Sequence, residues 1–149
     1  MITREGDAVE TRGSPEYDVF ISYAHADRDW VAAFARRLGE RGLTVAWDGE
    51  LITLGDLIVV RVEEFVRASA NGILVHSPAS AGSAWVRNEY AAMMKRAIEE
   101  NVRVIPVLIG DGPLPPLAGA RAAADFRQER AARWDETFER VVRALRTPL

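Results

Sequence analysis

With 149 residues, a formal net charge of -3 and no cysteine, the chain has the size of one domain. Such a domain buries about 70 % of its extended-chain surface, and this one must do so without disulfides or thiolate metal ligands. Its 22 acidic and 19 basic residues are intermixed, so no charge field favours nucleic acid or an anionic membrane as a partner.

The first 14 residues read as a polar arm with no apolar segment of the kind a signal peptide needs. No apolar run approaches the ~20 residues of a membrane span. The expectation is a cytoplasmic domain over 15–149, alone or as a module of a longer chain. Tyr17 to Tyr23 (Y-D-V-F-I-S-Y) is apolar on both faces, as a central parallel strand requires. Asp27 is placed to N-cap a helix with Trp30, Phe34 and Leu38 on one stripe and Val31 beside them, and Gly42 stops it.

Leu43 to Trp47 reads as a second short strand, and Asp48 to Asp56 as a loop with two glycines. Leu57 to Ala70 carries Ile58, Val62, Phe65 and Val66 at helical spacing. Asn71 to His76 is the third strand, and a helix with Met93, Met94, Ala97 and Ile98 runs from Trp85 to about Glu100. Val102 to Ile109 is the fourth strand; Pro106 has no N–H to donate and suits an edge or a bulge. A turn-rich loop, D-G-P-L-P-P-L-A-G, precedes a short edge strand over Ala122 to Arg127. The last helix keeps Trp134, Phe138, Val141, Val142 and Leu145 on one face until Pro148.

Alternation of this kind predicts an α/β domain, a doubly wound five-stranded parallel sheet with helices on both faces and right-handed crossovers. The common order is 2-1-3-4-5, with ligands beyond the strand carboxyl ends where the winding reverses, between strands one and three. Strand one ends at Tyr23 and strand three at His76, so Tyr23–Asp27 and Ser77–Glu89 should wall the crevice. Within S-P-A-S-A-G-S-A-W-V-R-N-E-Y, Trp85 and Glu89 are four apart and share a helical face. A glutamate early in a helix also serves simply as a favourable charge at the positive end of the helix dipole.

Other domains share this strand order. A receiver domain would end strand three in aspartate and follow strand four with lysine; here strand three ends in His76-Ser77 and no lysine follows strand four. A flavodoxin would carry a Ser/Thr-rich phosphate loop where this chain has A-H-A-D-R-D, and no G-x-G-x-x-G or P-loop occurs. His25 and His76 have no third residue at metal-ligand spacing.

The chain resembles the Toll/interleukin-1 receptor (TIR) domain over about Tyr17 to Leu145. Y-D-V-F-I-S-Y looks like the family's first box. W-D-G-E-L-I-T-L-G-D is similar to the second box and BB loop, with Leu54 where a proline is frequent, and S-P-x-S-x-x-S-x-W-V-x-x-E matches the exit from strand three in the NAD-cleaving branch. The resemblance implies that Glu89 is the catalytic glutamate, and aligns Trp85 with the branch's nearby tryptophan and Asp48 with the acidic residue that starts the BB loop. The residues expected to bind substrate are Tyr23, by stacking on an aromatic part of the dinucleotide, with Trp47, Asp48, Ser77 and Trp85. The resemblance also implies homotypic assembly through the BB loop, Glu50, Leu51, Ile52, Leu54, Gly55 and Asp56. NAD+ is then substrate rather than cofactor, with no metal. Further partners are other TIR domains and a fused or separate sensor domain, and the expected role is antiphage defence. The competing expectation is a scaffold that signals by TIR–TIR contact without catalysis, and a third is an enzyme acting on other nucleotide glycosidic bonds.

Chemistry explains why one carboxylate suffices. Glycoside hydrolases generally use two, one of them to protonate the leaving group. The nicotinamide of NAD+ is already cationic and departs neutral, so Glu89 need only hold the ribose hydroxyls and stabilise positive charge at the anomeric carbon. Each ~1.36 kcal/mol of such stabilisation is tenfold in rate.

Overall fold

The computed structural model describes residues 15–47, 64, 66–81, 95–97, 99–100, 102–112, 122–127 and 132–148. In chain order these contain β1 (Tyr17–Ser22), a 3-10 turn (His25–Asp27), α1 (Arg28–Glu40), β2 (Val45–Ala46), β3 (Ser69–His76), a one-turn helix α2 (Pro78–Ala81), β4 (Arg103–Leu108), β5 (Ala124–Asp125) and α3 (Trp134–Arg146). The sheet has the expected order, β2-β1-β3-β4-β5, and every pairing is parallel. None of the described helices is long and apolar enough to cross a membrane.

Alternation along the strands sorts the core. Val19 and Ile21 of β1, Ile73 and Val75 of β3, and Ile105 and Val107 of β4 share one face with α1 and α3. Against them pack Val31, Phe34, Ala35 and Leu38 of α1 and Phe138, Val141, Val142 and Leu145 of α3. Phe20 and Leu74 point to the other face and are equally buried, at 1 % exposure. Burial on both faces is why these strands are continuously apolar.

An aromatic chain joins the two helices across the end of β5. Phe34 stacks on Trp30 at 4.8 Å and meets Phe126 at 5.5 Å and Phe138 at 5.8 Å, both edge-on. Phe126 continues to Trp134 at 5.0 Å, and the Arg37 guanidinium lies 4.5 Å from the Trp134 ring centroid. Each such ring pair adds about 0.5–1.5 kcal/mol beyond the area it buries.

Local chemistry closes the elements. Gly42 ends α1 at φ 85, with Gly42 N–H donating to Gly39 O at 3.0 Å and Leu43 N–H to Leu38 O at 3.2 Å, the paired bonds of a Schellman stop. Asp18 Oδ2 accepts from the Thr44 N–H at 2.8 Å and the Thr44 hydroxyl at 3.0 Å, fixing β2 beside β1. Asn71 Nδ2 donates to Asp18 O at 2.9 Å, and Arg103 Nη1 donates to Thr147 O at 2.6 Å behind α3.

Several boundaries differ from those expected. The helix predicted to reach Ala70 has turned by Ala68, whose carbonyl accepts from Tyr17 N–H at 2.9 Å, and β3 starts at Ser69 rather than Asn71. Pairing of Ser69 with Tyr17 overrides the helical preference of Ala68 and Ala70. β2 and β5 are two residues each, shorter than predicted. The helix at Pro78–Ala81 is an element not expected from the sequence, and the helix start expected at Trp85 lies outside the described residues.

Pro106 is in neither an edge strand nor a bulge; it pairs with Leu74 in β4, between β3 and β5. Leu108 O accepts from Phe126 N–H, so Leu108 and, two residues earlier, Pro106 direct their backbone groups to the β5 side. β5 pairs only with Val107 and Leu108, so the missing donor falls one rung before that strand begins.

Phe34→Ala removes the hub of the aromatic chain at a site only 2 % exposed. It is expected to lower unfolding free energy by about 3–5 kcal/mol, measured as a fall in the urea midpoint at unchanged m-value.

Candidate active site at the carboxyl ends of the strands

The site begins with two turns on neighbouring strands. Beyond β1 the chain passes through Tyr23 and Ala24 into the 3-10 turn, where Asp27 N–H donates to Ala24 O at 2.8 Å. Beyond β3 it turns at Ser77 into α2. Because Ser22 pairs with Leu74, both turns leave the same end of the sheet. Here the winding reverses, since β2 flanks β1 on one side and β4 flanks β3 on the other.

The second turn is a reciprocal cap. Ser77 Oγ accepts from Ser80 N–H at 3.2 Å, and Ser80 Oγ accepts from Ser77 N–H at 3.0 Å while donating to Ser77 O at 2.9 Å. Ser80 thus does what Glu or Gln does in a capping box. Pro78 occupies the first helical position, where an N–H has no intrahelical acceptor. The Ser77 hydroxyl donates across to Asp27 Oδ2 at 2.5 Å, the short separation of a hydroxyl bound to a carboxylate.

Asp27 therefore differs from its expected role. It precedes α1, but its side chain makes no cap bond to that helix; its carboxylate reaches the far turn instead.

An aromatic wall adjoins these turns. Tyr23 and Trp47, at the carboxyl ends of β1 and β2, lie with ring centroids 6.0 Å apart and tilted by 52°. They are 4 % and 7 % exposed and belong to the apolar core. The exposed Arg28 sets its guanidinium 5.5 Å from the Trp47 ring centroid, within cation–π range.

The β4 exit forms a third wall. His76, 2 % exposed, bonds through Nε2 to Gly112 O at 2.8 Å; a carbonyl only accepts, so Nε2 carries the proton. Ile109 N–H donates to His76 O at 3.0 Å. A Cβ on Gly110 would lie 2.7 Å from Pro78 Cδ, so glycine is what lets this turn approach α2. Among the described residues no three His, Cys, Asp or Glu side chains cluster as a metal site would require.

Of the residues singled out in the sequence, Tyr23, Trp47 and Ser77 stand at this one end of the sheet. Glu89, Trp85, Asp48, Glu50, Leu51, Ile52, Leu54, Gly55 and Asp56 lie outside the described residues. Two polar groups of the site were given no site role in the sequence, the Asp27 carboxylate and the Ser80 hydroxyl. Ser80 was legible as the fourth residue of S-P-x-S; the reach of Asp27 to Ser77, 50 residues away, was not.

A family model described as TIR domain matches residues 19–142. The NAD(+) hydrolase TcpA of Theionarchaea archaeon is 32% identical over 96 residues, which is 64% of this chain and 29% of that protein. The NAD(+) hydrolase TirS of Staphylococcus aureus is 30% identical over 102 residues, 67% of this chain and 36% of that protein. The chain thus spans about a third of the length of these curated relatives. The TIR domain of the Toll-related Receptor TRR-2 from Hydra magnipapillata shares the fold, with a TM-score of 0.70 at 21% identity over 85% of this chain and 98% of that one.

Two glycines give a paired test of the crowding at α2. Gly110→Ala forces Pro78 or the β4 exit to move and should cost about 1–3 kcal/mol. Gly39→Ala, in α1 with nothing within 4 Å of the added carbon, should leave stability unchanged or raise it by up to ~1 kcal/mol. Chemical denaturation of the two variants side by side measures both.

Proposed function

The chain belongs to the TIR domain family, and from that membership we propose that it is an NAD+ glycohydrolase whose catalytic residue is Glu89. The observation that carries this reading is the S-P-x-S turn at the winding reversal, with Trp85 and Glu89 following it in the same segment of sequence. The naming of TcpA and TirS as NAD(+) hydrolases supports it. Tyr23, Trp47, Asp48, Ser77 and Trp85 are the proposed substrate-binding residues.

In the proposed reaction the bond between the ribose anomeric carbon and the nicotinamide nitrogen breaks, and its electron pair stays on nitrogen. Nicotinamide leaves neutral, and positive charge develops on the ribose. The Glu89 carboxylate holds the ribose hydroxyls and stabilises that charge. Attack by water, with loss of a proton, gives ADP-ribose; attack by a hydroxyl of the same molecule gives a cyclic isomer. No metal or cofactor enters the scheme. Trp85 excludes water from the reacting ring until nicotinamide has left.

Activity is proposed to require self-association through Glu50 to Asp56, in a cytoplasmic immune effector answering to a sensor domain. Leu51, Ile52 and Leu54 put three apolar residues in one short segment, and apolar clusters mark contact surfaces where they face solvent. The same three residues favour a second reading, a scaffold that signals by TIR–TIR contact alone.

Chromatographic assay of nicotinamide separates the two readings. Wild-type protein at assembling concentration should release nicotinamide from NAD+, and Glu89→Ala should lower the rate by about 10²-fold or more while self-association by light scattering is retained. Leu54→Arg should reduce assembly and activity together. No release by the assembled protein would overturn the enzyme in favour of the scaffold, and full activity in Glu89→Ala would overturn Glu89 as the catalytic residue.

A further inference from the structure

We infer that Asp27 is a positioning residue, latching the turn after β3 to the turn after β1 and so setting the direction in which the chain leaves the sheet toward Glu89. Its consequence for catalysis rests on the NAD+ reading above; the latch itself does not.

An aspartate ahead of a helix ordinarily accepts a bond from the second or third helical N–H. Asp27 makes no such side-chain bond to α1. Its carboxylate instead accepts the Ser77 proton at 2.5 Å, across the gap between the two strands where the winding reverses. This leaves the α1 cap unmade in exchange for a charge-assisted bond of the stronger class.

Ser77 is fixed by the same arrangement. A hydroxyl has one proton, and here it goes to Asp27; one lone pair takes the Ser80 N–H at 3.2 Å. With donor and acceptor both engaged and only 4 % of the residue exposed, a single rotamer satisfies the site. The start of α2 is held by its reciprocal Ser77–Ser80 cap and, from outside, by the Asp27–Ser77 bond on one side and the close approach of Gly110 to Pro78 on the other. Misplacing a reacting group by about 1 Å costs up to about 10²-fold in rate, so the anchoring of this turn bears directly on any carboxylate downstream of it.

Four variants of the full chain test the inference: Asp27→Ala, Asp27→Asn, Ser77→Ala and the double Asp27→Ala/Ser77→Ala. Asn keeps an acceptor oxygen in the same place, so it should restore most of what Ala loses. Asp27→Ala should lower kcat for NAD+ about tenfold or more with KM changed less than about threefold, and Asp27→Asn should stay within about threefold of wild type. Ser77→Ala makes the same cut from the other side and, because Ser77 is also a proposed substrate-binding residue, is compared by amide exchange, where the double variant should exchange no faster at 77–81 than either single one.

Amide hydrogen exchange supplies a readout without turnover. Residues 77–81 should exchange about tenfold faster or more in Asp27→Ala, with β1 and the middle of α1 unchanged. Wild-type kcat in Asp27→Ala, or equal losses in Asn and Ala with faster exchange throughout the fold, overturns the inference. If wild-type protein releases no nicotinamide, the NAD+ reading fails by itself. The latch is then decided by exchange at 77–81, where local acceleration supports it and wild-type rates overturn it. Should Asp27→Ala fail to fold, Ser77→Ala carries the exchange comparison, where local acceleration at 77–81 supports the latch and wild-type rates overturn it.

Discussion

Everything at the candidate site hangs on the parallel ladder between β1 and β3. It runs from Tyr17–Ser69 to Ser22–Leu74 and joins strands that are far apart in sequence. The crossover into β2 lies on one side of it and the rest of the sheet on the other, so the turns that follow the two strands diverge at one end. In doubly wound sheets such a divergence is where ligands bind. The ladder is secured by the apolar core beneath it. Val19, Ile21, Ile73 and Val75 are fully buried against α1 and α3, and Asn71 ties the base of β3 to β1 through Asp18 O.

The aromatic and the polar groups at this end of the sheet are held by different physics. Tyr23 and Trp47 belong to the apolar core and are held by burial, with Arg28 lying over the indole. Ser77, Ser80 and Asp27 are held by directional hydrogen bonds that leave the serine side chains little freedom. A dinucleotide presents both kinds of surface, aromatic rings and sugar hydroxyls. The departure of nicotinamide as a neutral molecule makes one carboxylate enough for the cleavage proposed. Rigidly held groups and a one-carboxylate reaction fit together, because such a mechanism depends on where the carboxylate is held rather than on a proton relay.

The fold was legible because its main signals are local or periodic. Strand alternation, the α1 stripe of Trp30, Phe34 and Leu38, and the Gly42 stop each depend on neighbours in sequence, and the structure has all three. What escaped was set by distant partners. The end of the helix before β3 is fixed by Tyr17 accepting Ser69 into register, against the local preference of Ala68. Pro106 is tolerated in an inner strand because β5 stops one rung short of it, which no local pattern around Pro106 announces. Asp27 looked like a helix cap from its spacing, and only the arrival of Ser77 from β3 gives it a stronger partner. At the site itself, Tyr23, Trp47 and Ser77, expected to bind substrate, stand at the expected end of the sheet. The resemblance was needed to assign Glu89 its chemistry, because a glutamate in the first turns of a helix has an ordinary electrostatic use.

The most direct measurement is a crystal structure of the assembled protein with an NAD+ analogue in which a methylene replaces the ribose ring oxygen, so that the glycosidic bond survives. The analogue should lie between the Tyr23–Asp27 turn and Ser77, with its nicotinamide-side ribose hydroxyls on the Glu89 carboxylate. An analogue bound at another face of the sheet, or bound in the crevice with Glu89 turned away from the ribose, would contradict the assignment.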